Sequence, residues 1–167
     1  PIDAPTEQWV EPKPIDLRKE HTTSFSAADR DGNVICLTQS LGAGFGGGVV
    51  IPGTGVCSNN FLYWGEINPK GTNYMRPGGP LALPMAPSVG LRKGKPVLAL
   101  GTPGSYGILQ TQVQAMVQYF DFGMPLQEAI EEPRARLWDG RRIDAEGRIS
   151  GKVLDELKTR GHEVAAI

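Results

Sequence analysis

The chain has 167 residues, enough for one ordinary hydrophobic core, and a net charge of −1 with acidic and basic residues mixed along its length. It has no basic stripe and no aromatic–basic interleaving, which argues against a nucleic-acid partner. No apolar run approaches the roughly 20 residues that cross a bilayer, so no membrane segment is predicted.

Cysteine and histidine are too sparse to indicate a disulfide framework, a metal site or a cofactor site. Cys36 and Cys57 form no C-x-x-C motif, and His21 and His162 lie far apart in the sequence. Both thiols are therefore predicted to be free and buried. No metal or cofactor is expected.

Residues 1–20 contain four prolines among charged residues, a composition typical of an extended linker or tail. The first residue is Pro1 rather than methionine, so we expect the chain to be a piece of a longer precursor. A targeting segment could then lie upstream, and the sequence indicates no particular compartment.

The following segment predicts a β-hairpin. Residues 22–28 and 34–40 have strand character, and residues 29–33 (Asp-Arg-Asp-Gly-Asn) have turn chemistry. Antiparallel pairing of the two strands places Ser40, at the far end of the second strand, close to Thr22 at the start of the first.

Thr22 is the candidate nucleophile. A threonine hydroxyl is weak at its free pKa and needs a neighbouring base. Its own α-amine can be that base once the preceding peptide bond is cut, because a free α-amine has a pKa of roughly 8. The remaining segments can be interpreted as positioning this threonine and its substrate.

Residues 42–49 match the phosphate-binding pattern G-x-G-x-x-G, and residues 121–123 read D-F-G. A dinucleotide fingerprint must open a helix, which residues 49–52 (Val-Val-Ile-Pro) cannot start. A kinase also needs a lysine strand and a catalytic loop that the chain lacks. We predict instead a flexible glycine loop folded close to other backbone.

An apolar and aromatic stretch over 56–64 is followed by a long irregular loop over 65–79 and another apolar stretch over 81–87. Residues 88–92 and 96–100 predict a second hairpin around a Lys-Gly-Lys turn.

A glycine turn at residues 101–105 precedes a helical pattern that runs from Ile108 through Phe122 and stops at Gly123. Such a turn exposes backbone N–H groups that suit a developing oxyanion. A plain strand-to-helix connection explains the motif equally well.

The C-terminal part alternates short elements: a helix over 125–132, edge strands over 133–138 and 141–144, a helix over 152–160, and a strand over 162–167. In the second of these helices the apolar positions Val153, Leu154 and Leu157 are predicted to face inward.

Together these motifs resemble the small-subunit half of a γ-glutamyltransferase-like protein, a family of N-terminal-nucleophile hydrolases. The resemblance runs from Thr22 to about Ala166 and depends on the order and spacing of several motifs. These are residues 22–26 (Thr-Thr-Ser-Phe-Ser), 31–33 (Asp-Gly-Asn), 45–46 (Phe-Gly), 55–56 (Gly-Val), 59–60 (Asn-Asn) and 100–104 (Leu-Gly-Thr-Pro-Gly).

The resemblance implies an α+β fold, a four-layer αββα sandwich of which this chain is the small-subunit part. Residues 1–21 would be the tail of the large subunit and residues 22–167 the catalytic domain. The implied precursor cuts itself between His21 and Thr22, and the large subunit from the same precursor is the implied partner. Without it, the chain should expose apolar area on Val113, Met116 or Val117, or on its aromatic residues.

The resemblance also assigns the catalytic residues. Thr22 would be the nucleophile, Ser40 its hydrogen-bonding helper in place of the usual threonine, and the backbone N–H groups of Gly104 and Ser105 the oxyanion hole. The family has glycine where Ser105 stands, a change expected to cost little if only the N–H is used.

The implied substrate-binding positions are Gly42, Asn60, Phe61, Trp64, Leu83 and Pro84. Relatives that act on γ-glutamyl groups have polar side chains at several of them. Here an ammonium and a carboxylate would face an apolar wall, and unpaired desolvated charge is costly. The substrate is therefore expected to be a small-molecule amide with a smaller, apolar or singly charged acyl group, hydrolysed rather than transferred.

A second interpretation stays open. The chain runs unbroken through His21 and Thr22, and an intact bond leaves no free amine to act as base. A non-catalytic or uncleaved family member would then serve only as a packing partner of the large subunit.

Overall fold

The computed structural model describes residues 21–138 and 140–167, and within them α-helices and β-strands are mixed. The elements are β1 (His21–Ala28), β2 (Val34–Gly42), a 3₁₀ helix (Phe61–Trp64), β3 (Ser88–Arg92), β4 (Lys95–Leu100), α1 (Gly107–Phe120), α2 (Leu126–Glu131), β5 (Ala135–Leu137), β6 (Arg142–Ala145), α3 (Gly151–Thr159) and β7 (Glu163–Ala166). The longest of these helices has 14 residues, and no described helix could span a membrane.

β1 and β2 form the predicted antiparallel hairpin, with Thr22 opposite Ser40. The Asp29 carboxylate organises the turn by accepting hydrogen bonds from the backbone N–H groups of Asp31 and Asn33 and from the side-chain amide of Asn33. These bonds, led by the one from the Asn33 side chain, hold the pKa of Asp29 below its ordinary value. At the other end, the register shifts between His21 and Thr22, where a β-bulge interrupts the pairing.

The second predicted hairpin is also present, and β2 contacts both of its strands, β3 and β4. Helix α1 packs on this hairpin through the buried side chain of Gln112. Its amide nitrogen donates to the backbone oxygens of Ala86 and Leu100, at 2.7 and 3.2 Å, and to the Ser88 hydroxyl at 2.8 Å. One polar side chain thus joins α1 to both strands.

The buried apolar residues among those described are Leu98, Ile108, Ala115, Ala129, Ile143 and Ala145. Large apolar side chains remain outside this small core, as predicted: Val113 on α1 is 57% exposed, and Val117 and Phe122 are exposed as well. The exposed face of α1 needs a covering partner if it is to be removed from water.

Three predictions about burial and strand position are wrong. Val153 is 48% exposed rather than inward-facing, because the peripheral helix α3 packs on one short strand and half-buries only Leu154 and Leu157. Cys36 and Cys57 are free but only half-buried.

β6 is a central strand rather than an edge strand, since the sheet order is β5–β6–β7. β7 returns after α3 to pair in parallel with β6, and this pairing encloses Ile143 and Ala145.

Two glutamines of α1 pair with the outer edge of β5 as if they were a further strand. The Gln110 side chain donates to the backbone oxygen of Leu137 and accepts from its N–H, and Gln114 does the same with Ala135. The distance between the two glutamines along the helix matches the distance between their partners along the strand. Four helical residues rise about 6 Å, and two strand residues rise about 6.6 Å. The edge strand is thereby protected from pairing with another chain.

Replacing Gln114 with alanine is expected to lower the free energy of unfolding by about 1–2 kcal/mol, since both backbone groups of Ala135 lose their partner. Urea unfolding of the protein measures the change. Gln118→Ala is the matched control, because the Gln118 side chain makes no hydrogen bond to a described residue, and its shift should stay within about 0.5 kcal/mol. Equal shifts for the two variants would contradict the strand-like role of Gln114.

Candidate active site

The register of the first hairpin places Thr22 beside Ser40. The Thr22 hydroxyl donates a hydrogen bond to the Ser40 hydroxyl oxygen at 3.1 Å. The same Ser40 oxygen accepts the backbone N–H of Gly42 at 3.0 Å, which fixes its position. The proton of the Thr22 hydroxyl is thus directed at an oriented acceptor, an arrangement that polarises the candidate nucleophile.

The glycine turn between β4 and α1 lies next to this pair. The backbone N–H groups of Gly104 and Ser105 donate to no other described residue. Ser105 has a φ of 56°, a left-handed conformation that costs a non-glycine residue about 1–2 kcal/mol. A serine here therefore has a conformational cost that the sequence did not indicate, and the strain lies in the segment predicted to form the oxyanion hole.

An open cleft of about 690 Å³ runs past Thr22. Its walls are Thr22, Thr23, Gln39, Ser40, Leu41, Gly44, Pro103 and Gly104. None of these residues is charged. The volume is within the usual range for small-molecule sites, and the cleft brings the hydroxyl of Thr22 and the turn at Gly104 to one solvent-accessible space.

A small recess of about 10 Å³ also borders Thr22. Its lining consists of Thr22, Ser40, Gly42, Phe61, Trp64, Leu83, Pro84, Met85, Ser105 and Ile108. The structure thus gathers five of the predicted substrate-binding positions around one cavity, next to the predicted catalytic side chains. The free space is close to what a single water requires, and no described residue of its lining is charged.

The 3₁₀ helix Phe61–Trp64 places two aromatic rings on this recess. The side chain of Asn73 anchors its end by donating to the backbone oxygens of Trp64 and Ala82 and accepting from the Ala82 N–H. The Trp64 ring meets the Tyr106 ring edge-on, with centroids 4.5 Å apart. These contacts hold Trp64 in place through both its backbone and its ring.

Asn60 has a different position from the other predicted binding residues. Its side-chain oxygen accepts the backbone N–H of Ala43 at 3.0 Å and lies so close to Gly42 that a Cβ added there would be 2.2 Å away. Asn60 therefore supports the loop after β2 and is absent from the lining of the recess.

Sequence reasoning missed several residues of the site. Met85 and Ile108 line the recess, and Gln39 and Pro103 line the cleft. The signals were weak: Met85 directly follows a predicted position, and Ile108 is the first apolar residue after the glycine turn. Among the described residues, no group of three or more His, Cys, Asp or Glu side chains could hold a metal ion.

The chain is similar to known proteins both in sequence and in structure. Residues 4–167 match the family model for gamma-glutamyltranspeptidase. The chain is 39% identical over 144 residues to the acylase ACY 1 proenzyme of Pseudomonas sp. (strain SE83), covering 86% of this chain and 25% of that protein. It is 33% identical over 151 residues to the glutathione hydrolase proenzyme of Bacillus subtilis (strain 168), covering 90% of this chain and 26% of that protein.

The solved structure of gamma-glutamyltranspeptidase from Pseudomonas nitroreducens complexed with L-DON superposes on the chain with a TM-score of 0.74 at 31% identity. The match covers 86% of this chain and 82% of that one. The chain spans about a quarter of the length of the two curated relatives.

Proposed function

Because this chain belongs to the gamma-glutamyltranspeptidase family, we propose that it is the catalytic part of an autoprocessed amide hydrolase with Thr22 as its nucleophile. A large subunit from the same precursor completes a four-layer αββα sandwich and covers the exposed face of α1. The observation that carries the proposal is the 3.1 Å hydrogen bond from Thr22 to Ser40, beside the backbone N–H groups of Gly104 and Ser105, which donate to no described residue.

Maturation begins when the Thr22 hydroxyl attacks the carbonyl carbon of His21. The C–N bond breaks, the nitrogen takes a proton, and an ester joins the His21 carbonyl to the Thr22 oxygen. Water opens this ester, which leaves a carboxylate on His21 and restores the hydroxyl of Thr22. Thr22 then carries both a hydroxyl and a free α-amine, the base that the intact chain lacks.

Turnover uses the same hydroxyl on an external amide. The α-amine of Thr22 takes the hydroxyl proton as the oxygen attacks the substrate carbonyl, and the N–H groups of Gly104 and Ser105 stabilise the oxyanion. The leaving amine takes the proton as the C–N bond breaks, which forms an acyl ester on Thr22. Water entering through the open cleft hydrolyses the ester and releases the acid.

The walls of the recess support an acyl group other than γ-glutamyl. Phe61, Trp64, Leu83 and Pro84 offer no charged partner for an ammonium group. Desolvating an unpaired charge costs several kcal/mol. The acylase among the relatives also supports hydrolysis of an acyl amide, and we propose hydrolysis in preference to transfer.

Three p-nitroanilides of equal chain length test the acyl class: γ-glutamyl, glutaryl, which lacks the ammonium, and pentanoyl, which lacks both charges. On the mature complete protein, kcat/KM for the γ-glutamyl compound is expected to be at least about tenfold below the better of the other two, because the ammonium has no partner in the recess. A clear preference for the γ-glutamyl compound would remove the proposed acyl class.

A further inference from the structure

One residue of the recess lining, Trp64, has a buried polar group without a partner among the described residues. The indole nitrogen of Trp64, Nε1, is buried and makes no hydrogen bond to any described residue. A buried donor left unpaired loses its hydrogen bonds to water without replacement, and native proteins contain few such groups. Trp64 also lines the recess that it shares with Thr22.

The position of the Trp64 ring is constrained, so its N–H has little freedom to find a partner elsewhere. Asn73 binds its backbone oxygen at 2.9 Å, Tyr106 meets its ring edge-on, and the Tyr63 ring lies 5.1 Å away between centroids. Rotating the indole toward solvent would break this packing.

From these contacts we propose that the indole N–H of Trp64 selects acyl groups that carry a neutral hydrogen-bond acceptor. The inference rests on the proposed function and narrows its substrate class. An indole N–H only donates, so its ligand must accept. The remaining lining includes Phe61, Leu83 and Met85, which offer no countercharge to a carboxylate. An ether, ketone or ester oxygen satisfies the donor without bringing a charge into the apolar recess.

The small volume further restricts the acyl group to a short chain. A recess of about 10 Å³ accepts little more than one atom before its walls move. Met85 is the wall residue best suited to move, because a thioether side chain is unbranched and adaptable. The acceptor is therefore expected within the first few atoms beyond the acyl carbonyl.

Two isosteric pairs of p-nitroanilides test the inference on the mature complete protein: methoxyacetyl against butanoyl, and 3-methoxypropanoyl against pentanoyl. Each pair exchanges one CH₂ for an oxygen. For each pair, kcat/KM of the ether compound is divided by kcat/KM of its all-carbon counterpart. The measured quotient is this ratio in the natural protein divided by the same ratio in Trp64→Phe. In at least one pair this quotient is expected to reach about ten, because the variant removes the donor and keeps an aromatic ring.

The quotient cancels both the different intrinsic reactivity of the two acyl groups and any loss of folded protein in the variant. Trp138→Phe is the matched control, since the Trp138 indole N–H binds Asp144 and Trp138 is not part of the recess lining. Its quotient is expected to stay near one.

The outcomes separate this inference from the proposed function. Turnover of both members of each pair with a quotient near one would overturn the role of Trp64 and leave the hydrolase intact. A quotient that Trp138→Phe reproduces would overturn it as well. If no acyl anilide is turned over in a Thr22-dependent manner, the proposed function fails and this inference fails with it.

Discussion

Replacing Thr22 with alanine is expected to leave the bond after His21 uncut and to lower kcat/KM for the best acyl anilide by at least about a thousandfold. The variant loses the attacking oxygen in both reactions, and without cleavage it also lacks the α-amine that serves as base. Intact-mass measurement of the complete precursor reports the cleavage, and release of p-nitroaniline reports the turnover.

Two further variants make this result specific. Thr22→Ser keeps a hydroxyl and an α-amine and should still be cut, whereas Ser26→Ala changes an exposed hydroxyl on the same strand and should behave like the natural protein. Cleavage of Thr22→Ala at the same bond, or a natural mature chain that begins at Thr23, would contradict the assignment. A natural precursor that is never cut would favour the non-catalytic packing partner.

Replacing Gly46 with alanine is expected to destabilise the mature protein by at least about 3 kcal/mol. A Cβ at this position would lie 2.2 Å from the backbone oxygen of Ser58 and 3.0 Å from the Cα of Asn59. The obstacle is backbone, which cannot rotate away as a side chain could. Gly47 donates to the same Ser58 oxygen at 2.9 Å, so moving the loop also breaks a hydrogen bond.

Gly48→Ala separates crowding from backbone conformation. Gly46 and Gly48 both have a left-handed φ, of 58° and 69°, but a Cβ at Gly48 would meet nothing within 4 Å. The control should therefore lose only about 1 kcal/mol. Urea unfolding of both variants measures the difference, and equal losses would mean that the close approach to Ser58 is unimportant.

The local features of the site could be predicted from the sequence. The turn at Asp29 sets the register of the hairpin, and in that register Thr22 lies opposite Ser40. The glycine loop could likewise be interpreted as backbone folded on backbone, which the approach of Gly46 to Ser58 confirms. These predictions depend on residues close in sequence or on one pairing rule.

Features that depend on distant contacts could not be predicted. β6 is central because β7 pairs with it after α3. In the sequence, its two alternating buried residues are too few to distinguish a central strand from an edge strand. The glutamine pairing with β5 joins residues up to 27 positions apart, and glutamine on a helix is otherwise an ordinary surface residue. The shape of the recess depends on the fit of side chains from five separate segments.

The bulge between His21 and Thr22 has a consequence for the state of the protein after cutting. The proposed cleavage there would fall one pair from the end of the described ladder. From Thr22 to Ala28 each residue keeps its partner on β2, and on the other side of the bulge His21 is paired with Gly42. The new amino terminus would thus be anchored by seven successive pairings, so the cut would leave the hairpin folded and hold the new α-amine at its first pair.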